Sequence, residues 1–221
     1  LHRPGEITLA HRGVLFLDEM PEFSRRSLEI LRQPLEDKVI RISRVYGTYD
    51  FPADFMLCAA MNPCPCGHYP DMNRCRCTPA QVMQYLGRIS QPLLDRLDLC
   101  AEVSPVDFEG LSSGRKGEST QTIRERVICA QDIQRERYKI EGIQFNGELS
   151  GAQIEKYCKM EKDARQLLKM AFQNMPFSAR AYHRILKVAR TIADMEATES
   201  IHRHHIAEAL SYRAFDKKYW N

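Results

Sequence analysis

The chain has 221 residues, 43% of them hydrophobic and 28% charged, with a formal net charge of +3. That apolar content is enough for one core or two small ones. No apolar run is long enough to span a bilayer and no signal peptide is visible, which excludes a membrane-spanning helix and fits a cytoplasmic globular protein.

The predicted elements begin at Gly13-Val14-Leu15-Phe16-Leu17-Asp18-Glu19. Four bulky apolar residues in a row predict a strand buried on both faces, as in a parallel sheet. Asp18 and Glu19 then stand at its carboxyl end, where open α/β sheets bind ligands. Asp18 can hold Mg²⁺ as the Walker B aspartate of nucleoside triphosphatases does, and Glu19 can polarise a water for attack on a γ-phosphate. The plainer alternative is a strand that ends in a solvated acidic turn.

After Pro21, Ser24 is placed to cap a helix with Leu28, Leu31 and Leu35 on one face. Pro34 leaves the end of that helix open. Val39 to Asp54 reads as a hairpin turning at Tyr46-Gly47-Thr48. A second apolar strand, Phe55 to Met61, ends at Asn62-Pro63. A third is expected over Leu97 to Val103, just after Leu93-Leu94-Asp95-Arg96. Ser104-Pro105 and Ser112 to Gly117 read as a linker.

Beyond the linker the chain reads as helical. Thr120 is placed to cap a helix carrying Ile123, Val127, Ala130 and Ile133 inward. Ser150 caps a short segment and Glu161 to Asn174 forms another. Ser178 begins a long helix with Tyr182, Ile185, Leu186, Ala189 and Ile192 inward, and a last helix runs from about His204 into Phe215. Residues 1–118 carry 14 basic and 16 acidic side chains, residues 119–221 carry 18 and 13. The second half can therefore meet a polyanion, without being shown to do so.

Cys64, Cys66, Cys75 and Cys77 form two C-x-C pairs in a Pro- and Gly-rich loop. In a reducing compartment such a cluster points to metal rather than disulfides. Four thiolates can close a tetrahedral structural Zn²⁺ site with no open position for catalysis. His68 is a possible substitute ligand, and free thiols in a loop are the alternative. Cys58, Cys100, Cys129 and Cys158 lie in apolar patterns and read as core. His202, His204 and His205 put no more than two rings on one helix face with no carboxylate nearby, so capping or surface roles are expected.

The order GVLFLDE, LRQPLEDK, RISR, AAMNPCPCG and LLDRLDL resembles the magnesium-chelatase-like AAA+ ATPases. The segments PGEITLAHRGVLFLDEMPEF and SARAYHRILKVART are especially similar to the competence-type branch of that family. The resemblance covers nearly the whole chain. The fold it implies is α/β: a partial AAA+ P-loop NTPase core over 1–118, then an all-helical lid over 119–221.

The resemblance also implies roles. Asp18 and Glu19 match the Walker B pair, and Asn62 the sensor 1 residue that orients the attacking water. Arg96 matches the arginine finger given to a neighbouring subunit, and Arg180 the sensor 2 arginine. Developing phosphoryl charge needs such cations and donors. Each has a plainer reading: Asn62 starting a turn, Arg96 in an ordinary ion pair, Arg180 facing water. In related ring ATPases a hairpin before sensor 1 points into the pore. Arg41 and Arg44 would there contact a phosphate backbone, with Tyr46 and Tyr49 near the tip able to stack on bases. The alternative is a charged edge hairpin.

No GxxxxGK[ST] segment occurs in the 221 residues. The P-loop, which supplies donors and a Lys to the phosphates, lies upstream of Walker B in the family. The chain therefore reads as a C-terminal fragment, expected to be inactive alone and to self-associate or rearrange where strands lack neighbours. The parent is expected to use ATP and Mg²⁺ and to form a homo-oligomeric ring, a hexamer, that translocates DNA or remodels recombination intermediates. The alternatives are a chelatase-type chaperone acting on a protein partner and, for the fragment, a non-catalytic interaction module.

Overall fold

The computed structural model describes residues 4–45, 47–103, 112, 117–175 and 177–213, with Arg44 described in its backbone alone. The described residues divide into two compact units, one up to Leu97 and one from Asp98 onward.

The first unit opens with a short helix α1 (Glu6–Leu9) and strand β1 (Val14–Leu17). A 3₁₀ turn, Met20–Glu22, follows, then α2 (Arg25–Ile30) and α3 (Arg32–Asp37). Ser24 caps α2, its hydroxyl accepting from the Ser27 N–H at 3.1 Å. The break between α2 and α3 lies at Leu31, three residues before Pro34, which has no N–H to give the Ile30 carbonyl. Strands β2 (Val39–Arg44) and β3 (Gly47–Pro52) form the expected antiparallel hairpin. Tyr46 at its tip lies outside the described residues.

Strand β4 (Met56–Ala59) pairs in parallel with β1, Val14 opposite Met56 and Leu17 opposite Ala59. A core of Met20, Leu28, Leu31, Ile89, Leu93 and Leu94 receives Leu15 and Leu17 from one face of β1. The other face is open: Val14 and Phe16 are each 57% exposed, and Met56 67%. The expectation of a strand buried on both faces is thus corrected. A parallel strand is doubly buried only when layers cover both faces of its sheet, and the described residues cover one.

Residues 97–103 form no strand, a second correction. A strand exists through its ladder, and the Cys100 N–H bonds the Tyr212 carbonyl at 3.1 Å, just after α10, rather than a neighbouring strand. Between β4 and residue 97 lie α4 (Pro79–Leu86) and α5 (Gln91–Leu94). The loop 64–77 packs on α4 through Cys64, Val82, Tyr85 and Leu86, and Met61 belongs to both this cluster and the larger core.

The second unit is helical: α6 (Thr120–Arg137), α7 (Gly151–Tyr157), α8 (Lys162–Asn174), α9 (Ala179–Met195) and α10 (Arg203–Ser211). The predicted cap of α6 moves by one residue, since Ser119 accepts from the Thr122 N–H at 3.1 Å. Ser178 caps α9 as expected. Ile185, Leu186 and Ala189 are buried, with Tyr182 and Ile192 packed against the same core. Ile123 and Val127 do not face a core; they are 42% and 43% exposed. An apolar stripe buries only where another element meets it, and on α6 burial starts at Ala130.

A polar cluster threads this core. Asp194 accepts from the guanidinium of Arg137, at 2.9 Å for one of the two bonds, from Arg190 Nε at 3.1 Å and from Asn146 at 2.9 Å. Arg190 also donates to the carbonyls of Glu199 and Thr198, both at 2.5 Å. Arg190 and Asp194 are 0% and 1% exposed. Burial pulls Arg190 below its ordinary pKa while the Asp194 charge opposes that pull. The predicted linker residues 104–111 and 113–116, and Phe215, lie outside the described residues.

Candidate functional site

The β1–β4 ladder continues past both strand ends. The Ala60 N–H donates to the Leu17 carbonyl at 2.9 Å, and the Met20 N–H to the Ala60 carbonyl at 3.0 Å. These two bonds bracket Asp18 and Glu19 on one chain and hold the other two residues short of Asn62. The sequence-predicted acid pair and Asn62 therefore leave neighbouring strands at the same end of the sheet.

Asp18 and Glu19 are both exposed, and neither makes an ion pair with the described residues. Glu19 adopts φ 49°, ψ 46°, the left-handed region. For a residue with a Cβ that conformation costs on the order of 1 kcal/mol. The Glu19 N–H donates to Asp18 Oδ1 at 2.9 Å, which holds the Asp18 carboxylate against the turn. The turn after them is held by Arg88, whose Nη1 donates to the Pro21 carbonyl at 2.8 Å and to Glu22 at 3.1 Å.

Asn62 is exposed, with its amide against the knuckle turn: a Cβ built on Gly67 would lie 3.9 Å from Asn62 Cγ. Tyr85 of α4 is 5% exposed. Burial, then the charges of Glu22 and Glu19, push its phenol up, while the backbone of Asn62 hydrogen-bonds it and pulls the other way. Tyr85 thus feels the acid turn, Asn62 and Cys64 together. Sequence reasoning missed both Tyr85 and α4. The signal was present in Thr78-Pro79-Ala80-Gln81, a capping box with Pro at the first helical position.

Arg96 stays within its own unit. Its Nε donates to the Arg32 carbonyl at 3.1 Å, its Nη1 to the Pro92 carbonyl at 2.7 Å, and its Nη2 to Glu36. Its side chain is 10% exposed. No bond joins it to Asp18 or Glu19 among the described residues. Arg180 belongs to the second unit, exposed in the first turn of α9.

The four cysteines converge. Cys64 Sγ lies 3.4 Å from Cys66 Sγ and 3.8 Å from Cys75 Sγ, and Cys66 Sγ lies 3.6 Å from Cys75 Sγ. All four sulfurs lie within 4.8 Å of one another. A disulfide needs about 2.05 Å. Tetrahedral zinc with bonds of about 2.3 Å places its sulfurs about 3.8 Å apart, so the donor set fits that ion. Backbone donors surround the sulfurs: the Tyr69 N–H donates to Cys64 Sγ at 3.4 Å. Backbone hydrogen bonds from Arg76 and His68 hold the Cys66 thiol down at about 5, whereas burial pushes Cys77 up to about 12. His68 does not join the four-sulfur group; its Nδ1 bonds the Cys66 carbonyl at 2.6 Å. Of the remaining cysteines only Cys158 is buried; Cys58 and Cys129 are exposed, a correction. Cys58 lies on β4 opposite the exposed Phe16, and Cys129 on α6, one residue before its burial begins.

The three histidines also differ from expectation, because a carboxylate does reach them. Glu196 Oε2 lies 2.9 Å from His204 Nε2 and 3.0 Å from His205 Nε2. The two rings hold Glu196 below the usual carboxylate range. The His202 N–H donates to His205 Nδ1 at 3.0 Å. That bond leaves the His205 proton on Nε2, where it points to Glu196 and blocks metal ligation. The group caps α10.

On the hairpin, Arg41 faces Asp50 directly across the ladder. Its Nε and Nη2 donate to the two Asp50 oxygens at 3.0 and 3.4 Å. The Arg44 side chain lies outside the described residues.

A family model described as magnesium chelatase, subunit ChlI, matches residues 1–111, and one for the C-terminal part of the same subunit matches residues 117–213. The chain belongs to the magnesium-chelatase-like family, in its competence-type branch. It is 47% identical to Competence protein ComM of Haemophilus influenzae over 96% of its own length and 41% of that protein. It is 48% identical to the uncharacterized protein YifB of Salmonella typhimurium, over 97% of the chain and 42% of that protein. An uncharacterized protein of Mycobacterium tuberculosis is 40% identical over 96% of the chain and 42% of its own length. The chain thus spans about two fifths of the curated relatives it matches. The family's AAA+ ATPase character agrees with the mixed α/β unit and its small parallel sheet. No helix among the described residues is long and apolar enough to cross a membrane.

Proposed function

We propose that this chain forms the Walker B, sensor and lid portions of a cytoplasmic, ring-forming, hexameric AAA+ motor that couples ATP hydrolysis to movement on DNA. The observation that carries the reading is the exposed, unpaired acid pair at the end of β1, tied by backbone bonds to the strand that leads into Asn62. Asp18 would hold the Mg²⁺ of bound ATP, which supplies charge neutralisation for phosphoryl transfer. Glu19 accepts the proton of the attacking water. Asn62, an amide that both donates and accepts, orients that water. The left-handed turn at Glu19 sets the direction in which its side chain leaves the backbone.

Arg96 would serve the nucleotide of the next protomer by exchanging Glu36 for a phosphoryl oxygen, and Arg180 would neutralise phosphate from the lid. The domains run over 1–118 and 119–221. The phosphate-cradling P-loop would come from the rest of the protein, so the isolated chain should be inactive and should associate through its open sheet. The Cys64, Cys66, Cys75 and Cys77 set would hold one structural Zn²⁺, which neutralises the mutual repulsion of thiolates.

DNA is supported by the basic balance of residues 119–221 and by the name of the competence relative. One observation favours a second reading, a chelatase-type chaperone acting on a protein partner. Arg41 is already neutralised by Asp50, as a plain edge hairpin would have it. Hydrolysis by the full-length protein with and without forked DNA separates the two. The motor reading expects hydrolysis stimulated several-fold by DNA. Hydrolysis indifferent to DNA, with no DNA binding, supports the chaperone.

A further inference from the structure

The cysteine knuckle is built onto the segment that carries Asn62. Asn62-Pro63-Cys64 leaves one residue between the proposed water-orienting amide and the first sulfur. Cys64 is 0% exposed, and the Gly67 N–H donates to its carbonyl at 3.0 Å. That turn faces Gly67, at φ +79°, toward the Asn62 side chain, which a Cβ there would meet at 3.9 Å. Met61, immediately before, packs into both the knuckle cluster and the core that contains Met20 of the acid turn. Tyr85 packs with Cys64 in the knuckle cluster. On the Asn62 side, then, the supports are the β4 ladder and the knuckle.

We propose that a metal ion held by Cys64, Cys66, Cys75 and Cys77 positions Asn62, so that metal occupancy sets the rate of the hydrolytic step. This rests on the ATPase reading above. Without the ion, nothing ties the four sulfurs, which lie within 4.8 Å of one another, and the link between residues 64–66 and 75–77 is lost. Gly67 then withdraws from Asn62, whose amide loses one wall. The bonds of Leu17 and Met20 to Ala60, on either side of Asp18 and Glu19, remain, so nucleotide binding is spared while water orientation is not.

The test uses the full-length protein, loaded with cobalt or zinc, stripped by a zinc-selective chelator, or carrying Cys75→Ser. Cys75 lies far along the chain from Asn62, so the variant removes one ligand without touching the hydrolytic residues. Cobalt loading should give thiolate-to-cobalt charge-transfer absorption at one ion per chain, lost in Cys75→Ser. Hydrogen exchange at Gly67 and Tyr69, whose N–H groups bond Cys64, should speed at least about tenfold on metal loss, while Ala60 and the helices of the second unit keep their protection. The kcat for ATP should fall at least about tenfold with little change in KM, and zinc should restore wild type but not Cys75→Ser. Exchange at Gly67 and Tyr69 that ignores metal in a cobalt-binding protein overturns the proposal, as does failure to bind cobalt. A fall in KM affinity with unchanged kcat also overturns it. The exchange readout needs no hydrolysis, so failure of the ATPase reading shows separately, in Glu19→Gln.

Discussion

Arg96 offers a case where magnitudes separate two roles. Its guanidinium donates to two backbone carbonyls and to Glu36, and its side chain is 10% exposed. Arg96→Ala leaves those carbonyls short of a donor, while Glu36, 47% exposed, rehydrates. Bonds from charged donors contribute about 1.5–3 kcal/mol each when fully desolvated. With the acid partly in water, the variant should lose about 2–3 kcal/mol in total. From a typical stability of at least about 5 kcal/mol, such a loss leaves more than about 95% of molecules folded at 25 °C. Unfolding alone would thus cost a few per cent of the hydrolysis rate. Loss of an arginine finger costs about 10³-fold or more. Urea melts and steady-state hydrolysis on the same full-length preparation give both quantities, and mixing Arg96→Ala with Glu19→Gln protomers tests action across a boundary. A rate above about half of wild type refutes the finger role. An unchanged urea midpoint refutes the anchoring of Arg96 described here.

Three further outcomes follow from the geometry. Asp194→Asn should destabilise the second unit by about 3–5 kcal/mol, because it leaves Arg190 buried without its counter-charge; a thermal melt shifted by less than a few degrees would contradict this. Lys156, then Tyr157 and Gln153, hold Glu141 down at about 2. Its contribution is therefore present above the ordinary carboxylate value and fades as pH falls toward 2; Glu141→Gln should flatten an acid melt between about pH 5 and 2, and an unchanged profile would count against the contact. Replacing both Arg41 and Arg44 by Ala should weaken DNA binding across unrelated sequences and reduce its salt slope, whereas equal affinity at several salt concentrations would assign the hairpin to edge protection.

What could be read in the sequence was local. Ser24 and Ser178 announce their helices because a cap is a short-range bond between neighbours. The hairpin is legible for the same reason, as its partners lie a few residues apart. The acid pair and Asn62 were legible as types, but their junction at one sheet end depends on β1 and β4 lying side by side. Long-range partners stayed hidden. Nothing in the text of the chain brings Glu36 to Arg96 across 60 residues, or Glu196 back onto His204 and His205 through the turn after α9. Periodicity misled on α6 and β1, because it reports which face is apolar and not whether anything covers it. The C-x-C pairs sat between these cases: their spacing marked four sulfurs as a candidate set, and only the fold brought them within 4.8 Å of one another.

The central claim is that Glu19 activates water at the end of β1. The direct measurement compares wild-type and Glu19→Gln full-length protein for ATP binding and for hydrolysis. The amide preserves shape and the left-handed turn but cannot accept the proton. The account predicts Mg-ATP binding within about threefold of wild type and hydrolysis reduced by at least about 10²-fold. Normal turnover in Glu19→Gln would contradict it and remove Glu19 from the mechanism.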